Sequence, residues 1–431
     1  MDLLTANDTP GQHARSWYAA TALDIGSFPA LQSDVRADVC VIGAGFTGLS
    51  CALHLAEAGR RVVVLEASRV GSGASGRNGG QLGSGQRLDQ VQLEKMLGRE
   101  DAATYWHLGE EAKACVRGII ARHGIACYLR PGIASAGSTP GEVQDLHDYV
   151  AFLQDRYGYT EIEALSEDAF AALCPSPDYR GGAIDRGAGH LHPLRFAQGM
   201  GAAAVQHGAE VYENTRVTAL TPGHVQTARG SVRADHIVLA CNGYLGTLAP
   251  QVAARVMPIN NFVAATEPLG SRQADVLTQD AAVADERFVV NYFRLSHDGR
   301  LLFGGGESYG YRFPKDIAAK VRKPMLQIFP HLKDVKIDYA WGGTLAITMK
   351  RLPYLTQLAP GVLSASGYSG HGVGTATHAG ALMAQAIQGE SDGFDTMAAL
   401  PSAPFPGGPR MRTPLLALAM TWYALRDRLG C

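Results

Sequence analysis

Paired cysteines are the first thing this sequence lacks. Its seven cysteines (Cys40, Cys51, Cys115, Cys127, Cys174, Cys241 and Cys431) are odd in number, scattered, and form no Cys-x-x-Cys pair. Neither a disulfide framework nor a zinc site is indicated, and a reducing cytoplasm is expected. Excess charge is also missing. The 38 Lys and Arg residues against 40 Asp and Glu leave a formal net charge of -2, which gives no long-range field to draw in nucleic acid or an anionic membrane. A small-molecule partner is expected instead. The longest apolar stretch, Leu415 to Leu425, is about half of the ~20 residues a membrane-spanning helix needs. No membrane span is expected, although that stretch could touch a membrane or a partner. Asp2, Asp8, Pro10 and His13 precede any sustained apolar run, so no export signal is read. Internal repeats and low-complexity segments are absent.

What is present is bulk and turns. A chain of 431 residues is too long for one ordinary core, so two domains, interleaved along the sequence, are expected with room for a large ligand between them. The 51 glycines and 21 prolines sit in an otherwise ordinary globular composition, 46% hydrophobic and 18% charged, and so read as tight turns.

From Ala37 an apolar strand, a glycine turn, a helix and a second apolar strand ending in Glu66 make one βαβ unit. Gly43, Gly45 and Gly48 stand between strand and helix. The first permits the turn, the second lets backbone approach a pyrophosphate, and the third allows close helix packing, with the phosphates resting on the helix N-terminus beside Phe46 and Thr47. Glu66, followed by Ala67 and Ser68, ends the second strand where a carboxylate meets a ribose hydroxyl. It argues against NADP but does not separate FAD from NAD. Next comes a loop dense in small residues, Gly71 to Gly85, with Arg77, Asn78 and Gln81 as its large polar side chains.

Residues 90 to 175 read as mostly helical, with strands at Ile125 to Leu129 and after Gly132. A helix is predicted from about Leu194 to Gly208, and strands at Glu210 to Tyr212, Val217 to Leu220 and Ala234 to Ala240. Further strands are predicted at Val289 to Leu295, Arg300 to Gly306 and Val362 to Ala365. The last leads into Gly367-Tyr-Ser-Gly-His-Gly372 and a helix running to about Gly389. The exposed N–H groups at that helix start would offset negative charge on a ligand, worth up to ~2 kcal/mol for one helix end. Tyr292 and Arg294 alternate on a strand and so project to one face, where a buried arginine could bind a carboxylate in two-pronged fashion. His190 and His192 share parity, but no further ligand sits at metal-like spacing, so no metal is expected.

These motifs resemble the FAD-dependent D-amino-acid oxidase and glycine oxidase family. The resemblance rests on Asp38 to Gln81, Gly187-Ala-Gly-His-Leu-His-Pro193, Tyr292 to Leu295, Leu302 to Gly306, Trp341-Gly-Gly343, Gly367 to Val373, and the tail from Pro404 to Arg410 with Leu425 to Leu429. It covers nearly the whole chain, and within the family it is similar to the branch of gamma-glutamylputrescine oxidases.

The implied fold is α/β, an FAD-binding Rossmann-like domain interleaved with a mixed-sheet α+β substrate domain. Its implied boundaries are an arm at 1–36, an FAD domain at 37–86, 187–247 and 341–431, and a substrate domain at 87–186 and 248–340. Ser75 and Arg77 would lie near the pyrophosphate and Asn78, Gly79, Gly80 and Gln81 near the flavin ring, with Gly73 and Ala74 also binding the cofactor. Val217 would meet the adenine through its backbone, while Cys241, Asn242 and Gly243 would pass under the cofactor. Gly343, Gly367, Gly370, His371, Gly372 and Val373 would complete the cofactor site. His371, Tyr292 and Arg294 are the candidate catalytic residues.

The implied activity is oxidation of a small amine, best guess gamma-glutamylputrescine. Hydride would pass to flavin N5, the imine would hydrolyse to aldehyde and ammonia, and O2 would reoxidise the flavin to give H2O2. Some relatives attach FAD to a cysteine after the Trp-Gly stretch. Residues 341–366 contain none, so FAD is expected to be non-covalent. Competing readings are an oxidase or dehydrogenase of pipecolate or sarcosine, a quinone-linked dehydrogenase suggested by the apolar stretch near Trp422, and a flavin-binding protein without turnover.

Overall fold

The structure, a computed structural model, describes residues 2–287, 289–308 and 310–407. The predicted βαβ unit forms as strand Val35–Ile42, helix Phe46–Glu57 and strand Val62–Leu65. All four residues of the second strand are buried, as an unbroken apolar run requires in a parallel sheet covered on both faces.

This unit anchors the first sheet. Its order is Tyr354–Ala359, Val362–Ser366, Ser231–Leu239, Val35–Ile42, Val62–Leu65 and Glu210–Tyr212. Only the edge strand Tyr354–Ala359 runs antiparallel within that row, and the hairpin Val217–Thr221/His224–Thr227 joins at Ser231–Leu239. The central strands come from residues near 40, 60, 235 and 363. Parallel neighbours need long crossovers, so the chain must leave the sheet and return.

The excursions build a second, mixed sheet of nine strands. In it Ile337–Ile347, Met257–Pro268, Arg300–Ser308 and Tyr292–Leu295 pair antiparallel. Ala282–Asp285 then pairs in parallel with Arg130–Gly137, and Gly181–His190 carries the short strand Gln81–Leu82. The glycine-rich loop therefore ends as an edge of this sheet, which joins the two layers covalently at the place where a ligand would lie between them.

One predicted strand is corrected. Ile125 to Leu129 is irregular, because Gly124 closes the preceding helix Arg99–His123 in the left-handed region and Tyr128 takes φ +54°. Its apolar residues pack into the core beside the helices instead, and the strand begins at Arg130. The helix predicted from Leu194 to Gly208 is Pro193–Gln206, and the one predicted to end near Gly389 is Gly372–Ile387. The apolar stretch Leu415 to Leu425 and most of the tail motif lie outside the described residues. Among the described residues no helix is long and apolar enough to cross a membrane.

Candidate active site between the two sheets

A cavity of about 1080 Å³ runs between the sheets, at the upper end of the range for cofactor and ligand sites. At one end the strand Val35–Ile42 stops and Gly43 turns the chain at φ +105°. A Cβ there would stand 2.8 Å from the Ala240 carbonyl, and one on Gly48 would stand 1.9 Å from the Gly43 carbonyl. No other residue fits this turn as built. The helix Phe46–Glu57 begins at Gly45 without a side-chain cap, and Ser75 Oγ accepts the Phe46 N–H at 2.9 Å. Glu66 accepts the Ala44 N–H at 2.8 Å through one oxygen and the Ser68 N–H at 2.9 Å through the other. Burial raises its pKa, and those backbone donors oppose the shift.

A second helix points its N-terminus at the same cavity. Ser369 (φ +54°) and Gly370 (φ +92°) bend the chain, and Gly372–Ile387 starts at His371 with no side-chain cap. Gly372 and Val373 line the cavity. The two helices are pressed together: a Cβ on Gly380 would lie 2.3 Å from the Thr47 carbonyl, and Tyr368 Oη and Thr47 Oγ1 are 2.7 Å apart. Two uncapped helix starts on one elongated cavity suit a ligand with an anionic diphosphate at one place and an electron-rich ring at another.

The loop between them is held from inside. Arg77, 5% exposed, donates to the Ser72 carbonyl at 2.7 Å, the Gly342 carbonyl at 3.2 Å and Asp8 at 2.8 Å. Asn78 donates to the carbonyls of Ala74 and Ser75 and accepts the Gly80 N–H. Gln81 donates to the Val283 carbonyl. Gly73, Ala74, Ser75, Arg77, Asn78, Gly79 and Gln81 all face the cavity, as do Ala67, Ser68, Val217, Cys241, Asn242 and Gly343. Gly48, Gly80, Gly243 and Gly367 do not. They stand behind it, where a Cβ on Gly80 would strike the Leu191 carbonyl at 2.0 Å and one on Gly243 would crowd the Leu345 carbonyl at 3.1 Å.

The three candidate catalytic residues separate. His371 and Tyr292 line the cavity and Arg294 does not. His371 Nε2 faces the Gly85 carbonyl at 3.2 Å, so that nitrogen carries the proton and Nδ1 is left as an acceptor. Burial, helped by Arg87, pushes the imidazole pKa down to about 4, and it is neutral at ordinary pH. The Tyr292 hydroxyl donates to Asn261 at 2.6 Å, and its ring lies over Gly79 and Gly304, where a Cβ would stand 2.6 and 2.0 Å from it. Arg294 corrects the carboxylate-binding expectation. Its guanidinium donates to the backbone carbonyls of Gly79 at 3.0 Å and Leu191 at 2.9 Å, with Tyr18 Oη at 3.3 Å. It positions the loop. His192 likewise serves locally, its Nδ1 accepting the Arg195 N–H and its Nε2 meeting Thr21.

Several cavity residues carried no motif. Leu4 and Asp8 arrive from the N-terminal arm, and Arg87, Asn261 and Glu286 from three separate segments. Asp8 beside Arg77 could have been suspected only from the charge of a buried arginine. Arg87 and Glu286 offered no signal.

Fold and cavity define a dinucleotide-dependent oxidoreductase of the flavin class. The chain belongs to the DAO family of FAD-dependent oxidoreductases, whose model matches residues 38–386. It is 42% identical to a probable oxidoreductase OrdL of Rhizobium meliloti (strain 1021), over 96% of this chain and 97% of that one. It is 41% identical to the gamma-glutamylputrescine oxidoreductase of Escherichia coli (strain K12), over 97% of this chain and 99% of that one. Among solved structures, glycine oxidase from Geobacillus kaustophilus superposes with a TM-score of 0.72 at 22% identity, covering 84% of this chain and 96% of the other. The family resemblance read from the motifs is thereby borne out, and with it the enzyme class and FAD as cofactor.

Proposed function

We propose that this enzyme oxidises the primary amine of gamma-glutamylputrescine to the aldehyde, releasing ammonia, with O2 as the final electron acceptor and H2O2 as its product. What carries the reading is the near full-length likeness to the Escherichia coli gamma-glutamylputrescine oxidoreductase, joined to a cavity that continues past the cofactor cradle to His371 and Tyr292. FAD, when bound, supplies the two-electron acceptor for the carbon bearing the amine.

The chain's own residues prepare that carbon. An ammonium has no lone pair to assist the oxidation, so the substrate must enter or become neutral. His371 adds no positive charge, and its free Nδ1 accepts a hydrogen bond from the amine. The Tyr292 ring gives a flat apolar wall, and its hydroxyl is oriented by donating to Asn261. The first sheet with its two helix starts holds the cofactor, and the second sheet forms the substrate floor. FAD is held non-covalently: residues 341–366 lack cysteine, and burial followed by the charge of Glu66 pushes the Cys241 thiol up to about 12, where it is not a nucleophile. We place the enzyme in the cytoplasm, on the cysteine usage.

The pipecolate or sarcosine reading asks for an arginine that binds the carboxylate beside the reacting carbon; Arg294 is committed to backbone carbonyls, so that reading would fall to another arginine of the cavity lining, Arg87 or Arg351. The test is a mass balance on the purified holoenzyme with gamma-glutamylputrescine. Equal amounts of O2 consumed, ammonia, aldehyde and H2O2 formed, with flavin released by acid precipitation, support the proposal. Dye reduction without peroxide replaces the oxidase by a dehydrogenase.

A further inference from the structure

Three helices end together at a place that the oxidation of an amine does not use. Glu57 is the last residue of Phe46–Glu57, His123 the last of Arg99–His123, and His207 closes Pro193–Gln206. None of the three lines the cavity. The first helix starts at the cofactor cradle and has 12 residues, so its far end stands about 18 Å away. Each of the three side chains offers one ligand atom, and these atoms lie within 4.8 Å of one another. His123 Nε2 is 3.0 Å from Glu57 Oε1, and the rings of His123 and His207 meet edge-on with centroids 5.6 Å apart. The His123 side chain is only 10% exposed, and its Nε2 is buried with no hydrogen-bond partner among the described residues. It faces the carboxylate oxygen without bonding to it, an arrangement that costs free energy unless a further partner sits between them. Arg122 reaches the other Glu57 oxygen only at 3.8 Å and is half exposed, so it competes weakly. Each helix end adds about half a negative charge to that of the carboxylate.

We propose that Glu57, His123 and His207 form a zinc site that fastens the C-terminal ends of the three helices to one another. Two imidazoles and one carboxylate suit a borderline divalent ion such as Zn2+, whereas Mg2+ and Ca2+ take oxygen ligands. Bonds of about 2.0–2.2 Å in a tetrahedron put ligand atoms roughly 3.3–3.5 Å apart. The Glu57 and His123 atoms are already closer than that, and His207, exposed at its helix end, closes the remaining distance by side-chain rotation. Water takes the fourth position. The ligands come from three segments that no sequence spacing links, so the site exists only in the folded chain, and the ion stabilises that state. It ties the helix whose other end faces the cofactor to two neighbours. The site is independent of which amine the enzyme oxidises.

The test uses the purified, flavin-loaded enzyme without a histidine tag, freed of metal by dialysis against a chelator and titrated with Zn2+ in a calorimeter. The wild type should take up one Zn2+ per chain and gain about 2 °C or more in melting temperature at a hundredfold excess over the dissociation constant. His207→Asn and Glu57→Gln lie at the surface, away from the cavity, and should keep the wild-type flavin content and amine turnover. Losing even an outer partner of a metal ligand costs about 10–100-fold in affinity, so each variant should bind Zn2+ at least about tenfold more weakly. Mg2+ at the same concentration should neither bind nor raise the melting temperature. A wild type that takes up no Zn2+, or that binds Mg2+ as tightly, overturns the proposal. So does a Zn2+ affinity unchanged in both variants, which places the ion on other groups such as the cysteines.

Discussion

The two ends of the cavity are built by different means. The cofactor end is made largely of backbone: two uncapped helix starts, turns forced by Gly43 and Gly370, and a small-residue loop whose side chains bond inward. The reacting end and the mouth are made of side chains, with Tyr292, Asn261, Arg87, Glu286 and His371 brought from separate strands and loops. A diphosphate or a flavin ring is the same in every enzyme that uses it, so its site is served by fixed backbone geometry. A substrate differs, and its recognition falls to positions that a sheet can exchange without altering its hydrogen bonds.

Substitutions at the two ends should therefore fail differently. The largest effect is predicted for Gly48→Ala, whose added carbon would meet the Gly43 carbonyl at 1.9 Å with rigid backbone on both sides. We predict a flavin-to-protein ratio near zero after purification, and a variant that retains stoichiometric flavin contradicts the stated role of that glycine. Arg294→Met is next. It strips charged donors from the buried carbonyls of Gly79 and Leu191, each worth about 1–3 kcal/mol when left unsatisfied. The melting temperature should drop and flavin affinity weaken, with all amines losing rate to the same extent. A loss confined to carboxylate-bearing substrates would return Arg294 to substrate binding. Asp8→Asn is milder. It removes the charge opposite a largely buried guanidinium, and we predict a rise of about tenfold in the FAD dissociation constant with KM for the amine unchanged.

The smallest effect is on pH dependence. Burial depresses His371 and His378 from 6.5 to about 4, so the unfolded chain takes up those protons first as pH falls. Their contribution to stability is complete above about pH 6.5 and is lost as pH drops toward 4. Melting curves should decline over that window, and His378→Asn should flatten the decline. A flat profile in the wild type would show that these imidazoles are not held neutral.

The same contrast explains what the sequence made legible. The βαβ unit, the glycine turn and the Gly367–Gly372 turn are contiguous, and the local demands there, positive φ at Gly43, Gly367 and Gly370 and the approach of Gly48 to the Gly43 carbonyl, lie within the motifs, so their roles could be read before the fold was known. Arg294 was misread because strand parity tells which face a side chain takes and not what waits there: the face is filled by the carbonyls of Gly79 and Leu191. Ile125 to Leu129 looked like a strand because buried irregular backbone and buried strands share apolar composition, and Tyr128 at φ +54° left no pattern. Asp8, Arg87 and Glu286 meet the cavity only through tertiary packing.

The most direct test of the account is an anaerobic titration of the purified, flavin-loaded enzyme with gamma-glutamylputrescine, alongside putrescine, pipecolate, sarcosine and D-alanine, following the visible flavin absorbance. Stoichiometric bleaching by gamma-glutamylputrescine, with the other amines weak or inert, is the predicted result. Flavin that stays oxidised with gamma-glutamylputrescine while another amine bleaches it, or with every amine, would contradict the account.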